Sequence, residues 1–429
     1  MCIYTLVLEK HEDYPFILFF NRDEEYDRPT LPLAVEEQGL VCARDGKAHG
    51  TWCGLNASRG IVAALTNVRN RLEPPSHCSI RSRGDLVLAA LLSPSSSSSS
   101  LQGEGGEAAA EAGAGAAAPR QGEEEGTWYA YNLLTGSIDG STARASLRFE
   151  ANVPTSSSSS SSSSDNGPQE WRTTSSTAVV GPGIWVKSNE STGVLQGGVA
   201  VEEEDGEWPK VALVRRHVGR LFAKDATSPT PTPTTSSTTT ATPASPPPSS
   251  AAWRGETAAR EGLLPALADI MGRSLPHGDE ACAGAAAAAV QRWSPLPLPL
   301  EEALHRGPFL RPLELHAASR RQEAAAPVPA ESSPASSSAS SSSSAPARLY
   351  GTVSQTAIIT CVSERALFYA YRETKATTIP DAEDDASAPF SGGEWTWLRF
   401  PLPSPPPPMT AGGNPAMAAA ATATASAVS

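Results

Sequence analysis

The chain has 429 residues and a formal net charge of −13, since acidic side chains outnumber basic ones. This balance disfavours nucleic acid as a partner, because phosphate binding requires clustered basic residues. The six cysteines include no CxxC pair, so they fit neither a dense disulfide framework nor a typical zinc site. We expect a reducing compartment, no metal and no cofactor.

Hydropathy predicts no transmembrane segment, because the sequence contains no run of about 18 apolar residues. The apolar run at the N-terminus is too short for a secretory signal peptide and has no basic flank in front of it. The expected location is the cytoplasm, or an organelle reached by a signal that the sequence does not reveal. No motif names a protein partner, and a small-molecule or lipid-like ligand is the partner we expect.

Tracts of serine, threonine, proline and alanine interrupt the chain. Such segments lack the apolar area that offsets the entropy of ordering, so we predict that they are disordered. The rest is enough for one domain over residues 1–400. Its insertions are predicted at about 93–126, 151–170, 225–252 and 321–347, and a disordered Ala/Pro tail at 401–429.

In chain order, apolar and β-branched runs predict strands at 2–8, 16–20, 40–43 and 61–65. A helix is predicted at 85–92, with Ser82 and Asp85 spaced as a capping box. The later pattern predicts strands at 128–134 and 147–149, helices at 208–222 and 262–271, and a hairpin at 356–362 and 367–371. Strands at both ends with helices between them predict an α+β fold.

Cysteine at position 2 has a special chemical status. Methionine is removable when the second residue is small, and its removal leaves one residue that carries both a thiol and a free α-amine. The α-amine titrates at about 8 and the thiol at about 8.5, so the amine is able to accept the thiol proton. The alternative interpretation is a small apolar residue that starts a buried strand.

The second predicted strand runs into Asn21, Arg22 and Asp23, next to the expected position of Cys2. A carboxylate there is suited to orient the α-amine, and an arginine is suited to favour the thiolate. A solvated loop is the alternative interpretation of these polar residues.

Three further residues are candidates for a pocket lining. Thr51 and Trp52 lie between two glycines, in a stretch that is equally consistent with a turn that packs Trp52 inward. Asn67 either lies over the site at the end of a strand or belongs to a polar turn. Arg81 and Arg83 either meet an anionic ligand or form a solvated helix start.

Several motifs occur in the order expected of a known family: MCI, NRDEEYDRP, HGTWCGLN, ALTN, RSRGDLV, WYAYNLL, KSN, EWPK and GTVSQTAII. The chain resembles the NRDE family, also called the transport and Golgi organisation protein 2 family. The resemblance implies an αββα sandwich similar to N-terminal-nucleophile hydrolases, interrupted by the low-complexity insertions. It implies that Cys2 is the nucleophile, that Arg22, Asp23 and Asn189 are catalytic, with the Asn189 amide helping to form an oxyanion hole, and that Asn21 binds substrate.

Three residues depart from the family pattern. His49 stands where the family has glycine, Lys187 replaces an apolar residue before Ser188, and Val353 replaces an arginine. The change at position 353 removes a positive charge expected near the site, and it therefore bears on hydrolysis more than on the fold.

Two functions are open from the sequence. The resemblance implies roles in Golgi organisation and protein secretion, with handling of acyl lipids or haem, and adds Golgi association or a mitochondrial site to the expected locations. The residues themselves favour a Cys2-dependent hydrolase or acyltransferase that acts on an amide or thioester. A thiol redox protein has little support without a paired cysteine.

Overall fold

The structure is a computed structural model. The residues that it describes are 2–68, 80–93, 128–155, 172–189, 196–198, 208–223, 253–273, 275, 280–292, 298–309, 313–315, 348–374 and 393–404.

The described strands, in chain order, are β1 (Cys2–Leu8), β2 (Phe16–Glu25), β3 (Thr30–Val35), β4 (Leu40–Asp45), β5 (Cys53–Asn56), β6 (Ile61–Asn67), β7 (Tyr131–Ile138), β8 (Ala145–Thr155), β9 (Arg172–Val180), β10 (Gly183–Lys187), β11 (Gln196–Gly198), β12 (Leu313–Leu315), β13 (Arg348–Cys361), β14 (Ala366–Glu373) and β15 (Thr396–Pro401). The described helices are α1 (Gly84–Leu92), α2 (Pro209–Leu221), α3 (Gly255–Ala258), α4 (Leu264–Met271), α5 (Glu280–Arg292) and α6 (Leu298–His305), and a π-helical turn at Ala259–Leu263 joins α3 to α4. None of these helices combines the length and the apolar character needed to cross a membrane.

The strands form two antiparallel sheets. The first sheet has the order β11-β10-β1-β2-β13-β14-β15, with β12 paired to β13. The second has the order β3-β4-β5-β6-β7-β8-β9. β1 and β2 therefore lie near the middle of the first sheet, and the second sheet follows the chain from strand to strand.

Three apolar clusters separate four layers. One cluster lies between the two sheets and includes Tyr4 and Phe149. A second packs the first sheet against α2 and α4 and includes Val7 and Val214. A third packs the second sheet against α1 through Leu91. The order helix, sheet, sheet, helix is an αββα sandwich, and the predicted fold class is confirmed.

Strand β1 has no polar face. All seven residues of CIYTLVL are buried, because alternate side chains point into the cluster between the sheets and into the cluster under the helices. A strand covered on both sides needs a nearly continuous apolar sequence instead of alternation. Cys2 thus stands at the end of a fully packed central strand.

The sequence patterns do not predict β3, β5, β9, β10, β11, β12 or β15. β9 reads RTTSSTAVV, a polar edge strand without an apolar face, and β5 is four residues long and lies partly in the stretch interpreted as a turn. β8 runs on to Thr155, past the predicted start of an insertion at 151. Most of the low-complexity tracts lie outside the described residues.

The predicted capping box is wrong. α1 begins at Gly84, and its N-cap residue Arg83 makes no side-chain capping hydrogen bond. The Asp85 main-chain nitrogen donates to the Ser82 main-chain oxygen at 3.1 Å, so a backbone turn replaces the predicted side-chain exchange. The Arg83 side chain thus does not cap the helix.

Candidate functional site

A pocket of about 340 Å³ lies between the sheets, at the end where β1 begins. The first sheet contributes Cys2 and the end of β2, the second contributes the ends of β4 and β6, and the start of α1 closes one side. The charged side chains that line the pocket are Arg22, Asp23, Glu24, Arg28, Asp45, Arg81 and Arg83. Within the described parts of the chain, no group of three or more His, Cys, Asp or Glu side chains is arranged to hold a metal ion.

The segment that follows β10 holds the backbone of Cys2. The Cys2 main-chain nitrogen donates to Oδ1 of Asn189 at 2.6 Å, and Oγ of Ser188 donates to the Cys2 carbonyl at 2.9 Å. Nδ2 of Asn189 donates in turn to the carbonyl of Asn67 at the end of β6. Asn189 therefore fixes the nitrogen of Cys2 and links the two sheets beside it.

Cys2 is buried, with 7% of the residue exposed. Burial raises the pKa of this thiol above its ordinary value, and the negative charge of Asp23 acts in the same direction. A hydrogen bond from the Asp23 backbone and the positive charge of Arg22 oppose the rise. Arg22 thus acts in the direction expected from the sequence, towards the thiolate, but burial outweighs it. The thiol stays protonated near neutral pH until a base accepts its proton.

Arg22 is the register partner of Cys2 in the β1–β2 pair, and its side chain is only 4% exposed. Its Nη2 donates to Oδ2 of Asp45 at 2.7 Å, and its Cζ lies 4.1 Å from the centroid of the Trp52 ring. Arg28 donates to both oxygens of the same carboxylate, at 2.6 and 3.0 Å. Asp45 thus holds two arginines at the wall of the pocket.

The Asp45 carboxylate remains ionised in this setting. Burial alone would raise its pKa, but the hydrogen bonds from Arg28 and from the main chain of Ala48, with the charge of Arg22, hold the pKa below its ordinary value of 3.8. Asp23 behaves in the opposite way. Burial raises its pKa, although the charge of Lys210 and a 2.7 Å hydrogen bond donated by Thr352 oppose the rise.

The family model described as Transport and Golgi organisation 2 matches residues 1–373, which is most of the chain. The chain belongs to the Transport and Golgi organisation 2 family. Two relatives, the Transport and Golgi organization protein 2 homolog of Bos taurus and the Transport and Golgi organization 2 homolog of Mus musculus, are each 39% identical over 85 residues. The Transport and Golgi organization protein 2 homolog of Homo sapiens is 39% identical over 79 residues.

These alignments cover a limited part of each protein. They span 19% of this chain for the bovine and mouse relatives and 17% for the human one. They span 29% of the bovine and mouse relatives and 27% of the human relative, less than a third of each.

The departures from the Transport and Golgi organisation 2 pattern have local structural settings. His49 has a φ of 60°, a left-handed conformation that favours glycine, which is the family's residue there. Val353 is 1% exposed and lies where the register between β13 and β2 shifts. Lys187 is fully buried, with its Nζ 5.5 Å from the centroid of the Phe149 ring.

Three of the predicted substrate-binding residues, Thr51, Trp52 and Asn67, line the pocket. The hydroxyl of Thr51 donates to the carbonyl of Ala43 at 2.7 Å, so this side chain also ties the segment before β5 to β4. Trp52 packs inward, and in the described structure its buried Nε1 makes no hydrogen bond. The two interpretations offered for Trp52, inward packing and pocket lining, describe the same position.

Asn21, the fourth predicted substrate-binding residue, does not line the pocket. Its Nδ2 donates to the carbonyls of Met271 and Pro308 at 2.9 and 2.8 Å, and its Oδ1 accepts from Nε2 of Gln355 at 2.9 Å. It faces the helical layer, because neighbouring residues of a strand point to opposite sides of the sheet. Asn21 thus ties the helices to the first sheet.

Sequence reasoning missed Asp45. The pair Asp45-Gly46 indicates a turn, and the carboxylate does accept hydrogen bonds from the main chain of Lys47 and Ala48. The turn accounts for Asp45 locally, and the residues next to it in sequence do not indicate its contacts with Arg22 and Arg28. Ser188 was missed as well, although its neighbour Asn189 was predicted.

Proposed function

We propose that the chain is a Cys2-dependent hydrolase or acyltransferase that acts on an amide or thioester, and that this activity serves Golgi organisation and protein secretion. The observation that carries the proposal is the 2.6 Å hydrogen bond from the nitrogen of Cys2, a residue that lines the pocket, to Oδ1 of Asn189. The names of the relatives refer to transport and to Golgi organization. The expected location is the cytoplasm, in association with the Golgi or with mitochondria.

The proposed reaction begins with removal of Met1, which converts the Cys2 nitrogen into a free amine that Asn189 holds in place. The amine accepts the thiol proton, and the thiolate attacks the carbonyl carbon of the substrate. Asn67 lines the pocket, and its side-chain amide is the donor we propose for the oxyanion. The protonated amine then gives its proton to the leaving amine or thiol, and water or an acceptor takes the acyl group from the thioester.

Preferential alkylation of Cys2 tests this proposal. A removable N-terminal extension, cleaved so that Cys2 becomes the first residue, provides the same protein with and without the free amine. Iodoacetamide is expected to modify Cys2 at pH 7.5 about tenfold faster in the cleaved form than in the uncleaved form. Only the cleaved form has the free α-amine that acts as the base. Peptide mass spectrometry measures each cysteine, and the fully buried Cys42 serves as the internal reference.

Binding without reaction, of an acyl lipid or haem, is the second candidate. It is supported by the raised pKa of the Cys2 thiol and by the uncharged Val353. Equal alkylation of Cys2 in the cleaved and uncleaved proteins, at a rate no higher than that of Cys42, would contradict catalysis and favour this function.

A further inference from the structure

Four arginines line the pocket. Arg81 is exposed, with its Cζ 5.3 Å from the centroid of the Trp128 ring, and the other three differ in their partners. Arg22 and Arg28 both bind Asp45, and Glu24 lies 3.8 and 3.7 Å from them. The positive charges of these two arginines are therefore largely compensated within the protein. They help to build the wall, and little of their charge is left for a ligand.

Arg83 is in a different situation. It is partly buried, its Nη1 donates to the carbonyl of Ala130 at 3.1 Å, and its Cζ lies 5.5 Å from the centroid of the Tyr129 ring. Among the described residues, it forms no ion pair with a carboxylate. A guanidinium carries five N–H donors, so this one carbonyl leaves most of them without an acceptor in the described part of the chain. Burying a charge without a partner of opposite sign is costly, so this arginine favours the binding of an anion.

Arg83 lies near the proposed nucleophile, Cys2. Arg83 and Cys2 line the same pocket. Burial lowers the pKa of Arg83 to about 10, and negative charge on Cys2 opposes the change, so the two side chains lie within electrostatic range of each other. Arg83 remains charged at neutral pH. An anionic group bound to Arg83 would therefore lie near the carbonyl that Cys2 attacks.

We propose that Arg83 binds a carboxylate of the substrate, and that the compound which reacts at Cys2 is therefore a small acyl compound bearing a carboxylate. The planar guanidinium matches a carboxylate through paired hydrogen bonds. The volume of about 340 Å³ suits a small molecule. The net charge of −13 disfavours the approach of anions in general. The partly buried Arg83 in the pocket therefore attracts an anionic ligand only at this site. This inference rests on the proposed function.

Two alkylating agents that differ in charge test the inference. Iodoacetate and iodoacetamide both react by forming a carbon–sulfur bond with the thiolate and releasing iodide, but only iodoacetate carries a carboxylate. The measured quantity is the rate with iodoacetate divided by the rate with iodoacetamide at Cys2, relative to the same ratio for a free cysteine derivative. The fraction of thiolate cancels in this ratio. We expect the relative ratio to be about ten in the protein with a free Cys2 amine.

The substitution Arg83→Gln is expected to return the relative ratio to about one. Arg59→Gln is the matched control, because Arg59 also donates to main-chain carbonyls, those of Leu92 and Ser93 at the other end of α1. Both variants lose one positive charge, and only the first loses it at the pocket. Circular dichroism checks that each variant is folded.

The outcomes separate the two proposals. If iodoacetamide prefers Cys2 but the relative ratio is about one in the unaltered protein, the carboxylate inference is overturned and the proposed function stands. The same holds if the ratio stays high in a folded Arg83→Gln variant. If neither reagent prefers Cys2, the proposed function fails and the inference falls with it. A relative ratio of about one in the unaltered protein overturns the inference even if the variant does not fold.

Discussion

At the scale of single residues, Asp45 balances the charge at the wall of the pocket. It accepts hydrogen bonds from Arg22 and Arg28, and the Arg22 side chain is almost fully buried. Removing one partner of a buried ion pair is costly, since the other charge is left uncompensated. The stability of the site thus depends on a residue that the proposed chemistry does not use.

We expect Asp45→Asn to lower the free energy of unfolding by about 3 kcal/mol at pH 7. The Asp45 pKa is lower in the folded protein than its ordinary value of 3.8, so its contribution is present above that value and is lost as the pH falls through the folded pKa. The stabilities of the unaltered and variant proteins should therefore converge below about pH 3.8. Urea unfolding from pH 7 to pH 3 measures both effects.

Asp139→Asn is the matched control for this prediction. Asp139 is exposed and accepts similar turn hydrogen bonds, from the main chain of Ser141 and Thr142, and among the described residues it pairs with no arginine. Its substitution should cost less than about 1 kcal/mol. Equal losses at the two positions would show that Asp45 acts only through its turn.

At the scale of elements, the start of α1 touches the segment before β5 through two glycines. A Cβ added at Gly84 would lie 2.8 Å from Cα of Gly50 and 2.8 Å from the nitrogen of Thr51. Both atoms belong to the backbone, so no side chain can move aside. This contact sets how closely α1 and Arg83 approach the pocket.

We expect Gly84→Ala to lower the free energy of unfolding by about 1–3 kcal/mol, despite the higher helix propensity of alanine. Gly284 in α5 has no atom within 4 Å of an added Cβ. Gly284→Ala should therefore raise stability, by up to about 1 kcal/mol. Chemical denaturation of both variants checks the opposite signs, and a stable Gly84→Ala protein would show that α1 shifts without cost.

Elements with one strong local signal could be predicted from the sequence, and elements set by distant contacts could not. The apolar run of β1 and the helical spacing of α2 were sufficient. β9 is polar and is held by its pairing with β8, which no local pattern reveals. The same difference applies to the site: Cys2 and Arg22 carry their own signals, whereas Asp45 becomes a site residue only when β4 is brought beside β2.

At the scale of the whole molecule, two of the low-complexity tracts interrupt connections between paired strands. Thr155 at the end of β8 pairs with Arg172 at the start of β9, and Leu315 of β12 pairs with Arg348 of β13. The ends of each connection are therefore adjacent in space. A short segment is therefore able to join them. Shortening the loop also changes the free energy of folding little, because the entropy of loop closure depends only weakly on loop length.

We expect removal of residues 156–164 and 327–347 to change the melting temperature by no more than a few degrees. Residues 165–171 and 316–326 remain to close the two connections. Differential scanning calorimetry of the shortened and full chains makes the comparison. Loss of a cooperative transition would mean that the tracts pack against the fold and that the single-domain prediction is wrong.

The pocket draws its lining from both sheets, and this has a thermodynamic consequence. The sheets separate when the protein unfolds, so the pocket exists only in the native state. Occupancy and folding are therefore linked: a ligand at 100 times its dissociation constant adds about 2.7 kcal/mol to the free energy of unfolding. The melting temperature thus reports on any compound that binds across the two sheets, whether or not Cys2 reacts with it.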